Sequence, residues 1–163
     1  MILIEGSTSG LGLRFALVVA RYNDFVTDRL QAGAVDALVE SGVSPDAITV
    51  LKVPGSFEVP LVARRSAETG RFDAVICLGC LIRGATPHFE YIASAASHAI
   101  AAAAAATGVP MAFGILTTNS VEEALERAGT GSANKGWEAA MAAVEMATLL
   151  KRLNPPGPPG IRV

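Results

Sequence analysis

The sequence predicts an α/β fold in which a four-stranded parallel sheet is covered by helices on both faces. Four continuous apolar runs lead to this prediction, because strands buried on both faces of a parallel sheet are apolar at every position. Helical patterns separate the runs, as the crossovers between parallel strands require. The strands are predicted at residues 13–20, 48–53, 74–82 and 111–116.

Each predicted helix has an apolar face with residues spaced three or four apart. These faces comprise Val26, Leu30, Gly33, Ala34, Ala37 and Leu38 in the first helix, Val59, Val62 and Ala63 in the second, Phe89, Ile92, Ala93, Ala96 and Ile100 in the third, and Trp137, Ala140, Met141, Val144 and Thr148 in the last. Glycines end the first three helices. Residues 120–123 (SVEE) form a capping box that opens a short helix. The alanine run at residues 101–106 predicts a buried helix face.

Length and composition predict one domain over residues 1–153, followed by a flexible Pro/Gly tail at residues 154–163. Only 17% of the 163 residues are charged and the net charge is −2, so no global positive field exists to attract nucleic acid. No apolar run reaches the length of about 18 residues that a membrane helix needs. The shortage of charge predicts burial between subunits, and residues 1–5 are expected to form a short strand that pairs with a neighbour's sheet. Without a secretory signal, a cytoplasmic location is expected.

Two motifs suggest cofactors, but their context argues against both. Cys77 and Cys80 form a C-x-x-C pattern, yet they lie inside a predicted strand, where residues three apart point to opposite faces. We interpret them as two small buried core residues rather than a redox pair or half a zinc site. Residues 6–12 (GSTSGLG) match a glycine-rich dinucleotide pattern, but a strand follows them where that motif needs a helix. No cofactor and no metal are expected.

The strand ends carry the residues that suggest chemistry, because ligands of open α/β sheets bind at the carboxyl ends of the strands. Aromatic residues, a carboxylate and a histidine stand there among ordinary turn residues. The candidates are Tyr22 and Asn23 after the first strand; Ser56, Phe57 and Glu58 after the second; and Gly84, Ala85, Thr86 and His88 after the third. Backbone N–H groups at a helix start can hold a phosphate, and His88 is suited to proton transfer near neutral pH.

Together these loops closely resemble the lumazine synthase family of riboflavin synthesis. The resemblance runs from about residue 13 to 153 and rests on residues 20–23 (ARYN), 53–60 (VPGSFEVP), 78–91 (LGCLIRGATPHFEY), 113–118 (FGILTT), 127–129 (RAG) and 134–136 (NKG). It implies a flavodoxin-like three-layer α/β/α sandwich. It also implies a transferase reaction that joins 5-amino-6-ribitylaminouracil to 3,4-dihydroxy-2-butanone 4-phosphate, giving 6,7-dimethyl-8-ribityllumazine, phosphate and two waters.

The resemblance assigns roles to individual residues. His88 would be the catalytic proton shuttle, and Gly84, Ala85, Thr86 and Arg127 would bind phosphate. The substrate-binding set implied is Tyr22, Asn23, Ser56, Phe57, Glu58, Leu81, Ile82, Lys135 and Phe113, with Phe113 contributed across a subunit boundary. Tyr22 stands where phenylalanine is common in the family.

Family members form pentamers, and many stack twelve pentamers into an icosahedral shell. The short turn at residues 129–134 favours the shell here, and riboflavin synthase is a candidate partner. Two alternatives stay open: a non-catalytic flavin-binding or shell-forming homologue, and a flavodoxin-type electron carrier. The carrier would need a Ser/Thr-rich loop after the first strand, where this chain has Arg21, Tyr22 and Asn23.

Overall fold

The computed structural model describes residues 1–154, which form a parallel sheet between two layers of helices. The strands are β1 (Phe15–Ala20), β2 (Ile48–Val53), β3 (Ala74–Ile82) and β4 (Met111–Thr118), and the helices are α1 (Asp24–Glu40), α2 (Val59–Glu68), α3 (His88–Thr107), α4 (Val121–Arg127) and α5 (Lys135–Leu153). The strand order is β2-β1-β3-β4, and every pair is parallel. The predicted three-layer, flavodoxin-like α/β/α fold is confirmed.

Two cores lie on opposite faces of the sheet, as the continuous apolar strands predict. One core packs β1 and β3 residues such as Leu17 and Ile76 against α1 and α5, and the other packs Val18 and Val75 against α2 and α3. All six residues of β1 are buried, which is typical of a central strand covered on both faces.

Two strand boundaries differ from the sequence prediction. β1 begins at Phe15 rather than at residue 13, because the Leu13 N–H donates to the Gly10 carbonyl at 3.0 Å in a turn. Gly12 allows this turn with a φ of 78°, which a residue with a side chain rarely adopts. β4 continues two residues further than predicted, since Thr117 and Thr118 pair with the end of β3.

One further prediction is wrong within one chain, and another concerns a neighbouring chain and stays a prediction. The alanine run is not a buried helix face: Ala103 is buried, whereas Ala101, Ala102, Ala105 and Ala106 are exposed, because α3 contacts the rest of the chain along one side only. Residues 1–5 do not pair with the four strands of the described chain, and Met1, Ile2, Leu3 and Ile4 are exposed, so their pairing with a neighbour's sheet stays a prediction. The flexible tail is predicted at residues 154–163, and all of it except Asn154 lies outside the described residues.

Cys77 and Cys80 are free and buried, so the interpretation of both as core residues is confirmed. Burial raises the pKa of the Cys77 thiol to about 12 and that of the Cys80 thiol to about 11. Among residues 1–154, no three His, Cys, Asp or Glu side chains come together as metal ligands. The helices of this part of the chain are also too short or too polar to cross a membrane.

Candidate active site

The ends of β1 and β2 are tied together where the first candidate residues lie. The Arg21 N–H donates to the Val53 carbonyl at 2.8 Å, and the Tyr22 N–H donates to the Pro54 carbonyl at 3.0 Å. These bonds continue the strand register into the loops, so Tyr22 stands beside the loop that carries Ser56, Phe57 and Glu58. Tyr22 is 73% exposed, so its ring is free to stack on a planar ligand.

Asn23 joins β1 to α1 in an uncommon backbone conformation. Its φ of 63° and ψ of 46° are left-handed, and it is the one non-glycine residue with positive φ in the described chain. Its side-chain Nδ2 donates to the Cys80 carbonyl at 2.9 Å, which links the turn to the end of β3. Asparagine tolerates this conformation better than most residues do. The turn therefore fixes the direction in which Tyr22 leaves the sheet.

The close approach of the Ser56 loop to β3 depends on Gly79. A Cβ atom at Gly79 would lie 2.4 Å from the Ser56 Oγ, a distance that real side chains do not reach. Ser56 is 5% exposed, so its hydroxyl lies at the floor of the site rather than at its rim. The glycine between the two cysteines thus makes room for a binding residue.

These loops and the start of α3 enclose a large cleft of about 840 Å³. This volume is within the usual range for small-molecule sites. The cleft is lined by Tyr22, Asn23, Pro54, Gly55, Ser56, Phe57, Glu58, Leu81, Ile82, Gly84, Thr86, His88, Phe89, Tyr91 and Ile92. Ten of the sequence-predicted site residues are in this list, and Ala85 lies between two of them in the chain.

The loop between β3 and α3 has unused backbone donors. No hydrogen bond within residues 1–154 involves the backbone N–H groups of Gly84, Ala85 or Thr86. They precede the N-terminus of a 20-residue helix, where the helix dipole also favours an anion. His88 is the first residue of that helix and is exposed to the cleft. A proton-transfer group therefore stands beside a potential phosphate site.

The remaining predicted residues lie in a separate, small cleft of about 330 Å³. Phe113 on β4, Arg127 at the end of α4 and Lys135 at the start of α5 line it, together with Glu138. The Lys135 ammonium pairs with the Glu138 carboxylate at 2.6 Å. Phe113 is 47% exposed. Within one chain, Arg127 is therefore not joined to Gly84, Ala85 and Thr86 in a single pocket.

The chain matches known proteins over most of its length. Residues 12–151 match the family model described as 6,7-dimethyl-8-ribityllumazine synthase. A protein of that name from Desulfatibacillum aliphaticivorans is 53% identical over 150 residues, covering 92% of this chain and 97% of the relative. Another from Syntrophus aciditrophicus (strain SB) is 54% identical over 149 residues, covering 91% of this chain and 97% of the relative.

The chain belongs to the 6,7-dimethyl-8-ribityllumazine synthase family. It is thereby a transferase of riboflavin biosynthesis, as the sequence motifs indicate. The alternative of a non-catalytic lumazine synthase homologue is not favoured, because both relatives are named as the synthase and His88 and Arg127 are present in this chain.

Five lining residues of this lumazine synthase cleft are not among the site residues predicted from the sequence: Pro54 and Gly55 in the loop after β2, and Phe89, Tyr91 and Ile92 in α3. The sequence places Phe89 and Ile92 on the apolar face of α3, and Phe89 and Tyr91 also lie within the motif at residues 78–91. Phe89, Tyr91 and Ile92 lie with His88 in the first turn and a half of α3. Their closeness to His88 in the sequence could therefore have indicated that they line the same cleft. Tyr91 is 74% exposed, which is unusual for a residue that serves only the core.

Proposed function

We propose that the chain condenses 5-amino-6-ribitylaminouracil with 3,4-dihydroxy-2-butanone 4-phosphate in active sites shared between two copies. In each site, the large cleft of one copy meets the small cleft of the next. The observation that carries this proposal is the division of the motif residues: Tyr22 and His88 line one cleft, whereas Phe113, Arg127 and Lys135 line another.

Exposed apolar side chains at both clefts support a shared site. Tyr22, Phe57 and Tyr91 are each more than half exposed, and Phe113 is nearly half exposed. Covering such rings stabilises an interface by roughly 25 cal/mol for each Å² removed from water. A second copy that covers both clefts would also bring a cation to the loop that offers backbone N–H groups.

The large cleft suits the planar pyrimidine. An aromatic ring such as Tyr22 can stack on it, while Ser56, Phe57 and Glu58 lie close enough together to contact the ribityl chain. The polypeptide around Leu81 and Ile82 offers backbone groups to the edge of the pyrimidine ring. Planar ligands with polar edges are recognised in this way, by a stacking face and a few fixed donors and acceptors.

The phosphate of the second substrate suits the start of α3. The backbone N–H groups of Gly84, Ala85 and Thr86 would bind its oxygens. Arg127 of the next copy would complete the site with a bidentate, charge-assisted contact. This arrangement also favours departure of phosphate, because the negative charge of the leaving group is stabilised where it develops.

Proton transfer accounts for most of the reaction. The amine adds to the ketone, water leaves to form an imine, phosphate is eliminated, and ring closure releases a second water. His88 can accept and return these protons. Lys135 would orient a carbonyl or phosphate oxygen, and it need not form a Schiff base because the pyrimidine supplies the amine.

The assembly in this proposal is a pentamer, and the short turn at residues 129–134 supports stacking of twelve pentamers into an icosahedral shell. The exposed residues Met1, Ile2, Leu3 and Ile4 are available to pair with a neighbouring sheet. Riboflavin synthase, which would consume the product, is the further partner. A cytoplasmic location fits the two free, buried thiols.

Purified protein and the two substrates test the activity. We expect lumazine absorbance to appear together with one equivalent of phosphate, and the absence of both would contradict the proposed function. Light scattering tests the assembly. A particle of five chains would contradict the shell alone, and a fully active monomer would contradict the shared site.

Mixed particles test the shared site directly. His88→Ala and Arg127→Ala chains are refolded together in equal amounts, after each has been shown to be nearly inactive alone. A site is intact where an Arg127→Ala chain supplies the large cleft and a His88→Ala chain supplies the small cleft. We expect recovery of about one quarter of wild-type activity with random assembly in a ring. No recovery would contradict sharing between copies.

A further inference from the structure

Arg83 lies directly before the three residues that offer backbone N–H groups, yet it lines neither cleft. Its guanidinium turns to other partners. The Nη1 group donates to the Glu90 carboxylate, and the Nε group donates to the Asn119 Oδ1 at 3.0 Å. The guanidinium carbon also lies 4.5 Å from the centre of the Phe89 ring.

These contacts connect Arg83 to both ends of the loop at residues 84–87. At the start of the loop, the Arg83 N–H donates to the Thr118 carbonyl of β4 at 2.8 Å. Beyond the loop, the side chain contacts Phe89 and Glu90 in the first turn of α3, next to His88. A loop held at both ends has fewer conformations available, so its N–H groups can keep one direction.

Asn119 extends the connection to the start of α4. Its N–H donates to the Glu123 Oε2 at 2.9 Å, and Ser120 beside it caps the helix by accepting from the Glu123 N–H at 3.1 Å. Arg83 thus joins the ends of β3 and β4 to two helix starts. A lysine could not repeat this arrangement, because only a planar guanidinium stacks on a ring while donating from its edge in two directions.

The charges also favour a role other than phosphate binding. The Arg83 cation is paired with the Glu90 carboxylate, and both side chains are about half exposed. A backbone hydrogen bond lowers the pKa of Glu90, and the Arg83 guanidinium lowers it further, so the carboxylate is ionised at neutral pH. A phosphate would have to compete with this carboxylate for Arg83.

We propose that Arg83 is a positioning residue for the reaction: it holds the loop at residues 84–87 and the first turn of α3, and leaves the phosphate to the loop's backbone N–H groups. The inference rests on the proposed function, because it assumes that the loop binds the phosphorylated ketone.

Variants of both partners separate positioning from direct binding. Arg83→Met and Glu90→Gln are each expected to raise the KM for the phosphorylated ketone and to lower kcat, with a loss of about 3- to 30-fold in kcat/KM from the contacts removed. The KM for the pyrimidine should change less than about 2-fold. The double variant should be little worse than either single variant, because both changes break one pair.

Direct phosphate binding predicts the opposite response to one of these changes. Glu90→Gln would then release the Arg83 cation and tighten the binding of inorganic phosphate, whereas positioning predicts weaker binding. Arg83→Lys also distinguishes the two, since an ammonium can bind phosphate but cannot restore the stacked, forked geometry. Tighter phosphate binding in Glu90→Gln, or wild-type constants in Arg83→Lys, would overturn the proposal.

Arg71 provides a matched control. Its guanidinium carbon lies 5.6 Å from the centre of the Phe72 ring, before β3 and away from the cleft. Arg71→Met should leave kcat and both KM values unchanged. Should Arg83→Met fail to fold, Asn119→Ala removes one partner and keeps the cation. If the kinetic constants of Asn119→Ala were identical to those of wild type, that result would also count against the proposal.

Calorimetric binding of inorganic phosphate distinguishes failure of this inference from failure of the proposed function. It reports on the loop without turnover. Wild-type protein that binds phosphate but forms no lumazine would contradict the function alone. Active wild-type protein whose Arg83 variants bind phosphate and turn over normally would contradict Arg83 as a positioning residue alone.

Discussion

Replacement of Asn23 tests how the fold directs a binding side chain. Asn23 adopts a left-handed backbone conformation directly after Tyr22, and its Nδ2 donates to the Cys80 carbonyl at 2.9 Å. Asn23→Ala removes the hydrogen bond and places a residue of poor left-handed tolerance in the turn. Asn23→Gly removes the same hydrogen bond but accepts the conformation. The pair therefore separates two contributions to the free energy of unfolding.

The magnitudes follow from the two interactions. A hydrogen bond of this kind contributes about 0.5–1.5 kcal/mol, and the left-handed conformation costs alanine about 1–2 kcal/mol. We expect Asn23→Ala to lower the free energy of unfolding by about 2–3 kcal/mol. Asn23→Gly should lower it by about 1–2 kcal/mol, because glycine avoids the strain but increases the freedom of the unfolded chain.

Thermal unfolding followed by circular dichroism measures the difference. The chain concentration must be the same in all samples, because the stability of an assembly depends on it. For a chain of this length, 1 kcal/mol shifts Tm by about 2–4 °C. We expect a larger shift for Asn23→Ala than for Asn23→Gly, and a raised KM for the pyrimidine in both. Equal shifts would refute the strain argument, and two unchanged Tm values would refute both parts.

The other predictions concern the reaction and the buried thiols. His88→Ala should lower kcat by about 10²–10⁴-fold while Tm stays near that of wild type. His98→Ala, which changes an exposed histidine of the same helix, should not lower kcat. Arg127→Ala should raise the KM for the phosphorylated ketone far more than that for the pyrimidine, and equal changes would contradict a phosphate contact. Burial raises the pKa of Cys77 to about 12 and that of Cys80 to about 11, from an ordinary value of 9.0. As the pH rises, the unfolded chain loses its thiol protons before the folded chain does. The contribution of the thiols to the free energy of unfolding, measured with urea, should therefore be constant below about pH 9 and decrease above it. Replacement of both cysteines by alanine should remove that decrease.

The strands could be predicted closely because burial on both faces leaves a simple pattern. β1 and β3 are apolar throughout, and their predicted bounds differ from the structure by at most two residues. The alanine run was different, because alanine favours helix whether it is buried or exposed. Sequence could identify α3, but it could not show which side of α3 the chain leaves uncovered.

The candidate site was predicted as a set of residues, and the family resemblance assigned Phe113 to the other side of a subunit boundary, but sequence alone did not show how the remaining residues divide between two clefts. Every parallel strand ends at the same edge of the sheet, so sequence alone brings all four strand ends together. The observed order β2-β1-β3-β4 puts β4 at the margin and separates Phe113 from Tyr22. Strand order depends on contacts between distant parts of the chain, which local patterns do not report. The Arg83 contacts were missed for the same reason.

The strand order also explains why the large cleft forms where it does. The chain passes from β1 to β2 on one side of β1, and then crosses to β3 on the other side. Ligands of open α/β sheets bind outside the carboxyl ends of strands at such a reversal. Asn23 bridges this point through the Cys80 carbonyl, and Leu81 and Ile82 line the cleft beside it.

The reversal creates a crevice, but it includes none of the cations of the small cleft. A phosphorylated substrate in that crevice would have backbone N–H groups and His88 beside it, without Arg127. The topology that forms the binding site therefore leaves its charge balance incomplete in one copy, which is the physical reason for proposing that a neighbouring copy supplies the missing cation.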